Sequence, residues 1–371
     1  MPFVSFLEEN DVDPFIYSAE SSVPRYVRVK PGCQLDLSDL EDELQCRLDS
    51  TVWLEGFFAI PPQVQIARSD AYRKGKIYGM DAASGAAVVA LNVLQGDHVL
   101  DLCAAPALHD LRPAWRLGTI TGVDAARHRL NVCRSMLLKY SLGDNCRLFF
   151  ADGTSFSFSP MPSRVDHRSW MTEVFEEWSS RRTWKERKNA KRSTKTCLAS
   201  PADAPELIFY GRLAGVVGHS KSEIFKPRNE SEMSISGYDK VLVDSECTHD
   251  GSVKHIQKFE RWGWETLQRR VLDAPRTDNL TQLQLKLLTN GFRLLKAGGS
   301  LVYSTCSLTV AQNEDVVERF LSENPSADLQ DVDAAKNWPC RSGKILKTLR
   351  FDPSTSRTSG LFIAKIMKMP C

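Results

Sequence analysis

The sequence predicts an α/β protein built on a doubly wound, mostly parallel sheet, with a small N-terminal α+β region and a long, partly disordered insertion. Three observations carry that expectation. From Tyr72 to Thr154 helical and strand patterns alternate, "YRKGKIYGMDAASGAAVVALNVLQGDHVLDLCAAP" leading into "TITGVD", "RHRLNVCRSMLLKY" and "CRLFFADGT". Three successive strand patterns end in an acid: Asp101, Asp124 and Asp152. Far downstream, the apolar run "SLVYS" passes straight into Cys306, with hydroxyl residues on both sides.

Residues 1 to 70 come first and mix short elements. "PRYVRVKPG" alternates as a strand does, and "LDLSDLEDELQCRL" places acids in the first turn of a helical pattern. Residues 71 to 371 form the main domain. Its strands resume at "YDKVLVDSEC", pass through the helical "LTQLQLKLLTNGFRLL" to the Gly298-Gly299 turn and the strand before Cys306, and close on "TSGLFIAKIMK". "AQNEDVVERFL", after Cys306, has helical spacing with acids at its start.

Connections in such sheets usually run about 2 to 6 residues, and the one after Asp152 is many times longer. The stretch at about 155–235 therefore reads as a basic, low-complexity insertion, disordered in its middle around "RRTWKERKNAKRSTK". As a charge run it is a solvated tail; as a function it is an RNA-contacting or nuclear-targeting patch.

Composition bounds the rest. The chain has 371 residues, 42% of them apolar and 25% charged, and a net charge of +2, so a nucleic-acid site has to come from local patches. Apolar runs are too short to span a bilayer, and the first residues lack a secretory leader. The ten cysteines are scattered, which suits reduced thiols in the nucleus, nucleolus or cytoplasm. No metal site is expected, because Cys247 and His249 lack a second ligand pair. Nor is a Cys247–His249 catalytic pair, since loop residues two apart need not face each other. The chain is expected to be a monomer.

The strand-end acids carry the first functional hint. In doubly wound sheets the acid ending the second strand accepts hydrogen bonds from a ribose, and one after the third is placed for an adenine amino group. The bland alternative is that each Asp simply caps the next helix. A nicotinamide-dependent dehydrogenase is disfavoured because no glycine fingerprint comes after the first strand.

The ordered set "DLCAAP", "GVDAARHRL", "ADG", "VLVDSEC", "LQLKLLTNGFRLLKAGG" and "LVYSTCSLTVAQNEDVV" resembles the Sun-type, or Fmu-type, RNA cytosine-5 methyltransferases. The resemblance implies transfer of a methyl group from S-adenosylmethionine to cytosine in rRNA or tRNA. It makes Cys306 the nucleophile, Cys247 the cysteine that releases product, and Asp244 the group on the cytosine edge. It implies a cofactor site at Cys103, Ala104, Ala105, Pro106, Asp124, Asp152 and Asp244. A free thiol of pKa about 8.5 is only a few per cent ionised at neutral pH, so the site must supply a base or lower that pKa.

Two departures stand out. Glu246 replaces the proline of the family's second cysteine loop, adding a charge beside it. After "DLCAAP" the family continues with glycine and lysine before a helix, whereas Ala107 to Arg116 holds Ala107, His109 and the helix-breaking Pro113. A shifted reading frame would account for that segment. Taken as written, it favours an alternative: a catalytically weak member acting as an RNA-binding scaffold.

Overall fold

The structure, a computed structural model, describes residues 2–10, 12–17, 23–104, 118–161 and 205–370. The strands in chain order are β1 (Arg25–Val29), β2 (Asp49–Ser50), β3 (Phe57–Ile60), β4 (Ile77–Gly79), β5 (Val99–Asp101), β6 (Ile120–Asp124), β7 (Cys146–Phe150), β8 (Glu206–Tyr210), β9 (Tyr238–Asp244), β10 (Leu295–Thr305), β11 (Ala327–Gln330), β12 (Arg341–Ser342), β13 (Leu349–Phe351) and β14 (Leu361–Lys368). The chain forms two compact units. One comprises Met1–Asn92, Leu242–Thr289 and Ser300–Cys371, the other Val93–Val241 and Asn290–Gly299, so β9 and β10 each contribute to both.

In the first unit an antiparallel sheet runs β2–β3–β1–β4. Its last strand lies beyond residue 70. Val27, Ile60 and Ile77 pack there with Leu40 and Leu44 of the Leu37–Leu44 helix, the apolar positions of the acidic run. Its N-cap Asp36 accepts a hydrogen bond from Ser38 N, which fixes the helix start. The same unit carries the order β12–β13–β14–β10–β9, with β11 on β14. Antiparallel pairing of β10 with β14 sets Leu301 opposite Ile366 and Thr305 opposite Phe362, which fixes the end of β10 just before Cys306.

The second unit holds the predicted parallel core. β5 pairs with β6 and β6 with β7 in parallel, and the start of β9 lies next to β5. The Arg127–Lys139 helix connects β6 to β7 and buries Leu130, Cys133 and Leu137. Arg147 is fully buried, and donates to Thr121 Oγ1 (2.8 Å), Ser159 O (2.5 Å) and Tyr238 Oη (3.1 Å). A buried guanidinium is tolerated when such acceptors meet it.

Part of the stretch expected as an insertion is folded. Its middle, residues 162–204, lies outside the described residues, but residues 205–236 are built into the unit. β8 adds antiparallel to β7, and Ala214, Val216, Ile224 and Met233 are buried. Two capping boxes, Ser220 with Glu223 and Asn229 with Glu232, start the short helices after β8. Among the described residues no helix is long and apolar enough to cross a membrane.

Candidate active site

Within the first unit, β9 and β10 each run into a loop at the same edge, and each loop supplies a cysteine. Ser245 N donates to Ser304 O at 3.0 Å, and Ser304 Oγ donates to Asp244 Oδ1 at 2.9 Å, which joins the two strand ends. Beyond them Cys247 Sγ lies 3.3 Å from Cys306 Sγ, although 59 positions separate the residues. Cys247 is fully buried and Cys306 half-buried. Both are free thiols.

The loops reach this arrangement through buried polar bonds. Asp250, fully buried, accepts from Leu308 N (2.6 Å), Ser307 Oγ (2.7 Å) and Thr248 Oγ1. Gln312 accepts from Thr248 N at 3.1 Å and donates to Thr248 Oγ1 at 2.9 Å and Thr309 Oγ1 at 3.0 Å. Gly251 N donates to Cys306 O at 2.9 Å, and a β-carbon at Gly251 would stand 2.7 Å from that oxygen. Only glycine allows the two backbones so close.

His249 was not expected to join. Its backbone is left-handed (φ +59°), which turns the ring back onto the cysteines. Nδ1 lies 2.9 Å from Cys306 Sγ and 3.7 Å from Cys247 Sγ. Asp250 and Gly251 fix the turn immediately after it, so what sequence spacing left open, the fold decides.

Burial alone would raise Cys247, but the hydrogen bond from Cys306 and the nearby His249 pull it down to about 6. Cys306 is pushed up by the same contact and by burial. His249 is raised against the effect of burial by the charge of Cys247, then by Glu246 and Asp244. These shifts favour one thiolate between the two hydrogen-bonded sulfurs, with His249 the group disposed to take up its proton.

Cys247, His249 and Cys306 also form a group of three ligating side chains with donor atoms within 4.8 Å, a grouping not expected from a sequence without a second ligand pair. Tetrahedral zinc with Zn–S bonds of about 2.3 Å holds its sulfurs roughly 3.7 Å apart. The observed 3.3 Å and 2.9 Å contacts suit hydrogen-bonded thiols better. Glu246 is exposed and ion-paired with Arg276 at 3.2 Å, while its carbonyl accepts from Gln284 Nε2 at 2.9 Å. The proline position is therefore filled by a residue tied down on both sides.

Apart from Asp244, which belongs to the first unit, the second unit holds the expected cofactor residues that are described. Asp101 Oδ1 accepts from Cys103 N at 3.0 Å, and Ala104 N donates to Val123 O at 3.0 Å. Asp124 is 5% exposed; its Oδ1 accepts from Ala126 N at 2.7 Å, and Arg129 lies 3.6 Å from Oδ2. Asp152 Oδ1 accepts from Thr154 N and Oγ1, both at 2.8 Å, which leaves Oδ2 for a ligand. Asn290 Nδ2 pins the next turn through Gly153 O (2.7 Å) and Phe156 O (3.0 Å). Carboxylates ending β5, β6 and β7 of a parallel sheet fit an adenosine group. Ala105, Pro106 and the anomalous Ala107 to Arg116 lie outside the described residues.

Comparison with known proteins agrees with this geometry. Residues 222–367 match the family described as 16S rRNA methyltransferase RsmB/F. The chain is 30% identical over 255 residues to a 5-cytosine rRNA methyltransferase NSUN4 of Xenopus laevis, covering 69% of this chain and 45% of that one. A tRNA (cytosine(49)-C(5))-methyltransferase of Pyrococcus abyssi is 32% identical over 141 residues, 35% of this chain and 42% of its own. The chain spans less than half the length of these relatives. A solved methyltransferase homolog from Pyrococcus horikoshii superposes with a TM-score of 0.59 at 22% identity, covering 99% of this chain and 94% of its own, which shows the Rossmann-like fold.

Proposed function

Because the chain belongs to the Sun/Fmu-type RNA cytosine-5 methyltransferases, we propose that it methylates carbon 5 of a cytosine in rRNA or tRNA through a covalent adduct on Cys306. The observation that carries this reading is the 3.3 Å approach of Cys247 and Cys306 at the ends of two strands, beside Asp244. Carbon 5 is too weak a nucleophile to take a methyl group unaided. Addition of the Cys306 thiolate to carbon 6 makes carbon 5 nucleophilic. S-adenosylmethionine, when bound, supplies the electrophilic methyl group.

The protein's own groups do the rest. Asp244, its Oδ1 held by Ser304, meets the polar edge of the cytosine and donates or accepts there as the ring charge changes. Cys247, buried against Cys306, serves the elimination that frees the product. Asp124 holds the cofactor ribose and Asp152 the adenine, with Cys103 and Ala104 beside the methionine part.

The test uses a pool of rRNA and tRNA with radiolabelled S-adenosylmethionine. Cys306→Ala is expected to abolish transfer and any adduct. Cys247→Ala is expected to trap protein on RNA as a denaturant-resistant band. Normal turnover by Cys306→Ala overturns the assignment, and calorimetric titration with S-adenosylmethionine separates an enzyme from a scaffold that fails to bind it.

A further inference from the structure

We propose that His249 is a catalytic residue of this site: it takes the proton of the Cys306 thiol and, as an imidazolium, holds the thiolate ready for attack. The inference rests on the reading of Cys306 as nucleophile and supplies the base that reading lacks.

Geometry carries it. Nδ1 is in hydrogen-bond contact with Cys306 Sγ at 2.9 Å and lies 0.8 Å farther from Cys247, at 3.7 Å. The contact exists only because His249 adopts φ +59°, a conformation that few residues other than glycine take and that costs energy unless its surroundings enforce it. Asp250 enforces it through bonds to Thr248, Ser307 and Leu308. The imidazole stacks on His255, with centroids 5.0 Å apart and planes at 29°. His255 Nδ1 is in turn 2.8 Å from Ser252 Oγ.

The groups around the ring favour its charged form. Asp244, at the end of β9, and Glu246, on the same loop, act on it together with the Cys247 thiol. Asp250, one residue on, and Cys306, on the facing loop, complete the surroundings. His255 is lowered by burial, by the charge of His249 and by Lys258. These effects favour His249 over its stacked neighbour as the ring that takes up a proton from the sulfurs.

The step balances. The Cys306 S–H bond breaks, its proton goes to Nδ1 and the electron pair stays on sulfur. That pair forms the bond to carbon 6 while the carbon 5–carbon 6 pair moves to carbon 5, which would take the methyl group from S-adenosylmethionine, released as S-adenosylhomocysteine. Carbon 5 then loses its proton to the Cys247 thiolate, the double bond re-forms, and the Cys306 sulfur leaves with its pair and recovers the proton from Nδ1.

The pH dependence of iodoacetamide alkylation at Cys306 tests this, read by peptide mass spectrometry on the whole chain without RNA. His249→Asn removes the base but tolerates the left-handed backbone, and Cys247→Ala removes the rival base. Cys247→Ala is expected to react at Cys306 with an inflection near or below neutrality, because the neighbouring thiolate that holds Cys306 up in wild type is gone. Adding His249→Asn to Cys247→Ala is expected to shift the inflection toward the ordinary value of about 8.5, slowing the reaction roughly tenfold or more at about pH 6.5. If His249→Asn loses its cooperative melt, His249→Gly takes its place. An unchanged profile without the histidine overturns the proposal, as does an upward shift caused by Cys247→Ala alone. Failure of the underlying reading is distinguishable: the alkylation shift then persists in a protein that methylates no RNA. Conversely, methyl transfer with one pH–rate profile for wild type and His249→Asn sinks the role of His249 alone.

Discussion

The two functional regions of this molecule are held in opposite ways. In the second unit each strand-end acid is tied by its neighbours: Asp101 to Cys103, Asp124 to Ala126 and Asp152 to Thr154, each two residues on. In the first unit the cysteine loops are tied to residues far away. Thr248 bonds Gln312 across 64 positions, and Asp250 bonds Leu308 across 58. Local turns form wherever the chain can make them. The cysteine cluster forms only when the whole unit is folded. Damage to the first unit should therefore act at a distance, and damage to the acids should stay local.

The largest effect is expected at Arg350 and Glu314, which prop the Cys306 loop from behind. Their side chains are 8% and 1% exposed; Arg350 Nε meets Glu314 Oε1 at 2.7 Å, and its Nη1 donates to Leu308 O at 2.6 Å. Removing one partner of a buried pair leaves an uncompensated charge, so Arg350→Met should destabilise by about 3–5 kcal/mol in urea unfolding. Burial opposes ionisation of Glu314, yet bonds from Arg350 hold its carboxyl below the ordinary value. A lowered native pKa gives stability that is present above the unfolded value and lost as pH falls. Wild type should lose this contribution below about pH 4, and Glu314→Gln should lack that acid component. An Arg350→Met protein as stable as wild type would show that the loop does not depend on this pair.

Asp250→Ala comes next. It removes the acceptor of Leu308 N and one partner each of the Ser307 and Thr248 hydroxyls, all in buried residues, and bonds to a charged group are worth roughly 1.5–3 kcal/mol each before relaxation. A loss of about 2–4 kcal/mol is expected, with faster alkylation of Cys247 as the loop opens. Stability lost without change at Cys247 would mean that Asp250 supports the fold and not the cluster.

The same contrast explains what could be read in the sequence. The parallel strands and the helix from Arg127 follow from apolar periodicity, which acts over short spans, and the acids fell at strand ends for the same reason. Gly298 and Gly299, expected as a turn, lie instead within β10. His249 was beyond reach because its orientation depends on a left-handed backbone set by Asp250, whose partners Ser307 and Leu308 are 57 and 58 positions away. Residues 205–236, expected within the insertion, are folded, and the spacings Ser220 to Glu223 and Asn229 to Glu232 are capping boxes that could have signalled their helices.

A smaller effect is expected at Asp124. Asp124→Ala loses one local turn and should cost about 1 kcal/mol of stability. Affinity for S-adenosylmethionine should fall roughly tenfold or more, as for a lost ribose hydrogen bond to a charged group. Equal losses in both would mean that Asp124 only shapes the turn, and the contrast between the regions would fail on the acid side.

The smallest effect is expected from deleting residues 164–202. The flanks must stay, because β8 and the buried Ala214, Val216, Ile224 and Met233 belong to the second unit. The deleted stretch has little apolar periodicity and carries the basic run Arg181 to Lys195. Shortening a loop changes closure entropy only logarithmically, by about 0.6 kcal/mol per halving, so the melting temperature should move by no more than about 2 °C. RNA binding should weaken modestly, and its logarithmic salt dependence should become shallower as phosphate contacts are lost. A cut extended to residue 230 should unfold the β7 edge, which would locate the boundary between insertion and core. A large fall in melting temperature from the shorter deletion would mean that the segment packs on the second unit, tying that unit by distant contacts as the cysteine loops are tied.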